Sequence, residues 1–224
     1  SAPIEYAWHH HAHASYGYYT SGFDDATILC MDSIGEWECL TIWKGEGSKL
    51  KKVYSQKYPH SVGLFYSAMT QRCGLEPNKD EYKICNMGKG AKGTYVDLLQ
   101  KMVIADPLDG SLPGVHFKFN LHRGGKHILP ELEDDIEMAY ATQTVYERIL
   151  QSNSNWCRKK LPSKNLIITG GCALNKQAND KVKGDWKNLY VPKNPGDPGS
   201  CIGAVASKIQ KHLDYSEKVW YNKV

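Results

Sequence analysis

The sequence predicts an α/β domain with a mixed β-sheet. Three observations carry that expectation: three β-rich runs spaced by short Gly-containing turns near the start, a helical periodicity after Pro59, and two strand–helix alternations in the last third. With 224 residues, 41% of them hydrophobic, the chain is long enough to bury a sizeable core as one large domain or two small ones.

Residues 3–22 are helix-compatible until Gly17, Ser21 and Gly22 interrupt the pattern. Ala26–Met31 is β-rich and ends in the turn DSIGE; Trp37–Trp43 and Lys49–Ser55 follow, separated by GEG, and the three read as an antiparallel meander. From Val62 the period becomes 3.6, with Phe65, Tyr66, Met69 and Cys73 on the same helical face. Residues 75–130 are rich in Gly, Pro and Lys and hold two short β-like runs, KMVIAD and VHFKFNL, which reads as an insertion or small cap. Leu132 to about Trp156 reads as a long amphipathic helix burying Ile136, Tyr140, Val145 and Ile149. The remainder alternates: strand Asn165–Thr169, helix from Cys172 to about Val182, strand Asn188–Val191, helix Ser200–Leu213, which implies parallel pairing with helices on the faces. Three antiparallel strands, a helix and then β-α-β-α is the order of an RNase H-like domain. The expected division is an N-terminal helix, 1–22, and an RNase H-like lobe, 23–224, with the insertion at about 75–130.

Composition excludes several partners. A net charge of +4, from 28 basic and 24 acidic residues, is too small and too dispersed for a nucleic-acid surface. No apolar run approaches the roughly 18 residues that span a bilayer, and the N-terminus lacks a basic-plus-apolar signal layout. Seven cysteines without a C-x-x-C pair imply reduced thiols, so a cytoplasmic location is expected, without nucleic-acid or membrane partners.

Four segments could carry chemistry. In WHHHAHA, His9 and His13 are four residues apart and project from one helical face, the spacing that lets two imidazoles share a metal, although a satisfied histidine cluster or a tag has the same look. His11, about 200° from each, should face away. Asp32 ends the first strand beside a Gly turn and could bind a metal or simply form the turn. Gly170-Gly171 lead into a helix and could admit a phosphate or be a plain tight turn. Asp197-Pro198 reads locally as an N-cap followed by Pro at N1.

Together, HHHAHA, ILCMDSIGEW, PHSVGLFYSAMT, DEYKI, LIITGGCALNKQAN and NPGDPGSCIGA follow one another as in the O-carbamoyltransferases of nodulation-factor and antibiotic biosynthesis, which the chain resembles along most of its length. The family pattern is roughly DHHxAHA, ILTxDGxGE, PHSLGxxYxxxT, GExKxMGLA, LAGGxALN and PxxGDxGxALGA. The related domain of the tRNA threonylcarbamoylation enzymes shares the histidine pair and the late Asp, but the DG-x-GE and PHSLG elements favour the carbamoyltransferases.

The resemblance implies one lobe of an actin-like (ASKHA) nucleotide-binding fold. It also implies transfer of a carbamoyl group from carbamoyl-adenylate, formed with ATP, to the hydroxyl of a small-molecule acceptor. Carried over, His9, His13, Asp32 and Asp197 are the metal ligands, with iron the family's usual ion and manganese or zinc compatible with the donor set. His10 and Asp32 are the catalytic residues, His10 orienting the acceptor or acting as its base. Gly170, Gly171 and Asn175 face the adenosine, and Glu81 and Lys83 the nucleotide. Trp8, Ser33 and Cys85-Asn86-Met87-Gly88 depart from the pattern. A leading G-x-H-D-A-S segment and a GPRALG-type activation domain are absent from the 224 residues, so the expected enzyme is incomplete or split, its other parts on separate polypeptides. The alternative expectation is a non-catalytic metal- and nucleotide-binding remnant of the actin-like ATPase superfamily.

Overall fold

The structure is a computed structural model describing residues 3–214; the outer ends of the two expected spans, 1–2 and 215–224, lie outside the described residues. Helix α1 (His9–Ser21) leads into strands β1 (Asp25–Gly35), β2 (Glu38–Glu46) and β3 (Lys49–Lys57) and helix α2 (Val62–Arg72). Two short helices, α3 (Glu81–Met87) and α4 (Val96–Val103), precede the long α5 (Asp135–Lys160). Strand β4 (Asn165–Thr169), helix α6 (Lys176–Lys183), strand β5 (Asn188–Tyr190) and helix α7 (Asp197–Ile209) complete the order. The sheet runs β3-β2-β1-β4-β5, antiparallel across β1–β2–β3 and parallel across β1–β4–β5. This is the expected α/β lobe with a mixed RNase H-like sheet.

The sheet is covered on both faces. On one, α2 and α5 enclose Leu29, Met31, Leu40, Ile42, Leu166 and Ile168; on the other, α1 packs with Ile28, Trp43 and Ile167. Alternate residues of β1 thus enter opposite layers, which is why ATILCM, Thr27 apart, is a continuous apolar run rather than an alternating one. Helix α1 lies along α7 and against β1 and β4. It buries every residue from Ala12 to Ser21, although HHHAHASYGYYTS has no apolar stripe. The burial is tolerable because hydroxyls turn back on the helix: Thr20 Oγ1 donates to the Tyr16 carbonyl at 2.5 Å and Ser21 Oγ to the Tyr18 carbonyl at 2.7 Å.

Several local expectations are corrected. The first helix starts at His9, not near residue 3. Ile136 and Tyr140 are 50% and 39% exposed, whereas Val145 and Ile149 are buried. Ile136 and Val145 stand about two and a half turns apart and so face opposite sides of α5; the buried ridge runs instead through Met138, Ala141, Val145 and Ile149. KMVIAD is mainly the end of α4, and among the described residues its β-pairing with the VHFKFNL run is limited to the isolated bridge of Ile104 with Phe117. The helix expected from Cys172 is a 3₁₀ turn, Gly171–Leu174, followed by α6. Among the described residues no helix is long and apolar enough to cross a membrane.

Candidate metal centre

The centre forms where α1, the end of β1 and the start of α7 meet. Helical spacing puts His9 and His13 on one face, their Nε2 atoms 3.0 Å apart. Asp32 enters from β1, its Oδ2 2.8 Å from His9 Nε2 and 3.3 Å from His13 Nε2. Asp197 enters from α7, its Oδ1 3.4 Å from each of the two nitrogens. One ligand atom from each of the four residues falls within 4.8 Å of the others. Two imidazole nitrogens and two carboxylate oxygens facing one another form an acceptor-rich ring that a divalent cation satisfies, so the residues fit a metal. The side chain of His13 is fully buried and that of Asp197 is 75% exposed, so the centre opens towards solvent on the α7 side.

Each ligand is held from behind. Asp32 Oδ1 accepts from the backbone N–H of Ser33 at 2.8 Å and of Gly171 at 3.3 Å, leaving Oδ2 for the histidines. His13 Nδ1 lies 3.2 Å from Ser200 Oγ, which orients the ring with Nε2 towards the centre. Gly196 precedes α7 as its cap, so Asp197 is the first helical residue and its carboxylate is not used as an N-cap. His11 turns away and stacks on Trp43, ring centroids 5.1 Å apart.

The electrostatics follow from these contacts. Burial pushes the Asp32 carboxyl up, but hydrogen bonds from His13 and His9 outweigh it and hold the group well below the usual carboxylate range. The hydrogen bond to Asp32 raises the pKa of His9 above 6.5, against a smaller effect of burial.

His10 occupies a different environment. It is fully buried, its Nδ1 is 3.0 Å from Thr41 Oγ1, and its Nε2 has no partner among the described residues. Burial lowers its pKa to about 4. The ring of His10, expected to meet an acceptor hydroxyl, lies beneath the surface of α1.

Gly170 and Gly171 adjoin the centre. Gly170, at φ 88°, donates to the Pro195 carbonyl at 2.8 Å, and a side chain there would overlap the Met31 carbonyl. The paired glycines therefore let the β4 end approach the β1 end at Asp32. Asn175 caps α6 through the Ala178 N–H at 3.1 Å and exchanges two hydrogen bonds with Gln143. The polar groups of Glu81 and Lys83 are engaged locally: Glu81 accepts from Ser67 Oγ at 2.7 Å and from the Asn78 N–H, and Lys83 pairs with Asp80 at 2.8 Å. Neither joins the four-residue cluster. Ser200 and Gln143 were missed in the sequence; the only signal for Ser200 is its place one helical turn after Asp197.

Comparison with known proteins agrees with this architecture. The family described as the carbamoyltransferase N-terminus matches residues 1–206. An uncharacterized protein of Synechocystis sp., sll1178, is 31% identical over 97% of this chain and 38% of its own length. Nodulation protein NolO of Bradyrhizobium diazoefficiens is 25% identical over 88% of this chain and 37% of its own length. The chain thus spans about two-fifths of the length of these relatives. Among solved structures, component A of (R)-2-hydroxyglutaryl-CoA dehydratase from Acidaminococcus fermentans superposes with TM-score 0.51 at 10% identity, covering 89% of this chain and 67% of its own. HypF from T. kodakarensis superposes with TM-score 0.50 at 15% identity, covering 91% and 36%. These likenesses concern the fold alone.

Proposed function

The chain belongs to the carbamoyltransferase N-terminal family, and on that premise we propose that its His9–His13–Asp32–Asp197 centre serves carbamoyl transfer from carbamoyl-adenylate to a substrate hydroxyl. The observation that carries the reading is the convergence of two imidazoles and two carboxylates from three separate elements. The donor set, without thiolate, suits iron, with manganese or zinc as alternatives. When bound, the ion would neutralise phosphate charge and seat the adenylate for attack.

The remaining roles belong to the chain. Asp32, held anionic by both histidines, supplies charge rather than a proton acceptor. His10, buried and neutral, supports α1 behind the ligand pair. Gly170, Gly171 and Asn175 form the adenosine side, where bare glycine backbone allows close approach. Glu81 and Lys83 hold α3 beside the nucleotide through Ser67, Asn78 and Asp80 rather than touching it. In the transfer the acceptor oxygen bonds to the carbamoyl carbon, the carbon–oxygen bond to the phosphate breaks, AMP leaves and the hydroxyl proton passes to solvent.

The test supplies carbamoyl-adenylate, Fe²⁺ or Mn²⁺ and a panel of hydroxyl compounds, and follows the carbamate and AMP. Metal-dependent formation of both is expected, together with no carbamoyl-adenylate when the chain receives only ATP and carbamoyl phosphate. Metal-dependent nucleotide binding without transfer would assign the non-catalytic role instead. Efficient turnover of ATP and carbamoyl phosphate by the chain alone would overturn the proposed division of labour.

Metal binding should also depend on pH with a definite sign. The raised pKa of His9 means that the metal-free chain keeps its proton above pH 6.5, and a metal must displace it. Apparent affinity should therefore be greatest above that raised value and fall about tenfold per pH unit below it, for one displaced proton. In the metal-free chain the same pair contributes the opposite trend: its stabilisation is complete below 6.5 and is lost as pH rises through the raised value. Calorimetric titration with Mn²⁺ between pH 6 and 8 checks the first, and an affinity independent of pH would exclude it.

A further inference from the structure

One carboxylate beside the centre is used by none of these roles. Glu36 opens the two-residue turn between β1 and β2, where Gly35 pairs with Glu38. Both its oxygens lie within hydrogen-bonding reach of the His9 backbone N–H, Oε1 at 3.3 Å and Oε2 at 3.2 Å. That N–H is one of the free donors at the start of α1, and the capping residue Trp8 offers it no side-chain acceptor.

The backbone at Glu36 is held at φ 53°, in the left-handed region. Gly, Asn and Asp suit such a turn position far better than Glu, which carries a long side chain with no local hydrogen bond to gain. Retaining Glu there calls for a compensating contact, and the His9 N–H is the one it makes. The preceding residue works on the same target: a side chain at Gly35 would overlap the His9 ring, so this turn lies flat against the imidazole. Asp32, four residues earlier, holds Nε2 of that ring. One hairpin end therefore touches His9 at its backbone, its ring face and its ligand nitrogen.

We propose that Glu36 is a positioning residue for the metal centre, its carboxylate fixing the end of α1 so that His9 presents Nε2 at the point where His13, Asp32 and Asp197 meet. It does not touch the metal and acts through His9. The inference rests on the metal reading of the centre and adds to it a residue outside the ligand set.

The test compares Glu36→Gln, Glu36→Ala and Glu36→Gly with the unaltered 224-residue chain in three measurements: Mn²⁺ affinity by electron paramagnetic resonance of the free ion, metal-free melting temperature, and order of the His9 ring by side-chain NMR without metal. Glu36→Gly relieves the left-handed backbone, so its melting temperature should hold or rise. Its Mn²⁺ affinity should nevertheless fall about tenfold, the scale on which supports of metal ligands act. Glu36→Ala should lose affinity similarly, and Glu36→Gln, which keeps the acceptor oxygen, should restore most of it. Wild-type affinity in Glu36→Gly, or a loss that merely follows a lower melting temperature, would overturn the proposal. If the unaltered chain binds no Mn²⁺, the metal reading fails separately. The ring then decides: disorder of His9 in Glu36→Ala supports the positioning role, and unchanged order refutes it.

Discussion

Asp197→Ala is expected to lower divalent-metal affinity by more than about 100-fold, beyond what loss of a supporting residue costs, while leaving the metal-free fold almost as stable. The asymmetry follows from where Asp197 stands. Its side chain is 75% exposed, it is not the cap of α7, and among the described residues its carboxylate pairs with the two histidine nitrogens. Exposed substitutions away from such contacts shift stability within about 0.5 kcal/mol, and removal of an acid from the first turn of α7 adds a similarly small helix-dipole loss. His13→Ala is the contrasting case: a fully buried ring bonded to Ser200 leaves a cavity and an unpaired hydroxyl, so fold and metal suffer together. Calorimetric metal titration beside thermal melts separates the two. An Asp197→Ala chain that binds metal like the parent would remove α7 from the ligand set.

Gly203→Ala is expected to damage both properties at once. A methyl group at Gly203 would overlap the Ala12 carbonyl oxygen, so the obstacle is the backbone of α1 rather than a side chain that can swing aside. Alanine's better helix propensity returns at most about 1 kcal/mol, whereas overpacking of this kind costs about 1–3 kcal/mol or more. At this chain length each kcal/mol lowers the melting temperature by about 2–4 °C. Helix α7 must also lift from α1, and it carries Asp197 and Ser200 with it, so metal affinity should fall in the same variant. An unchanged melting temperature would show that the two helices approach less closely than the structure has them.

Local patterning exposed much of the fold. The β1–β2–β3 meander, α2 and the closing β-α-β-α order were legible because Gly turns, β-branched runs and 3.6-residue spacing are all short-range signals. The phase of α5 was not, because polar surroundings let Ile136 and Tyr140 remain outside while Ala141 and Thr142 go in, and only the neighbouring elements decide that. Helix α1 misled more deeply. Its buried hydroxyls and histidines look like a solvated surface in sequence; the hydroxyls of Thr20 and Ser21 turn back on the helix, and the partners of the histidines (Thr41, Thr169, Ser200) lie far along the chain.

The site divides in the same way. His9 and His13 were visible from helical geometry alone, and Asp32 stood out as a carboxylate closing a strand. Nothing local marked Asp197 as more than the start of a helix, and only the resemblance grouped it with the others. The burial of His10 and the contact of Glu81 with Ser67 were invisible, since each depends on what the tertiary fold sets beside a side chain.

The strand order carries a consequence for how the chain reaches this state. β1 sits at the centre of the sheet, with its antiparallel neighbour β2 following at once in sequence but its parallel neighbour β4 near residue 166. The hairpins can close within microseconds of being available, while the β1–β4 seam waits for a loop of more than a hundred residues to find its ends. Until then β1 presents an unpaired edge of the sequence ATILCM, whose apolar residues point to both sides. During synthesis, every residue needed for the three-stranded meander emerges well before the strand that seals it. The N-terminal half should therefore be the segment that chaperones engage and that aggregates when the chain is truncated before β4.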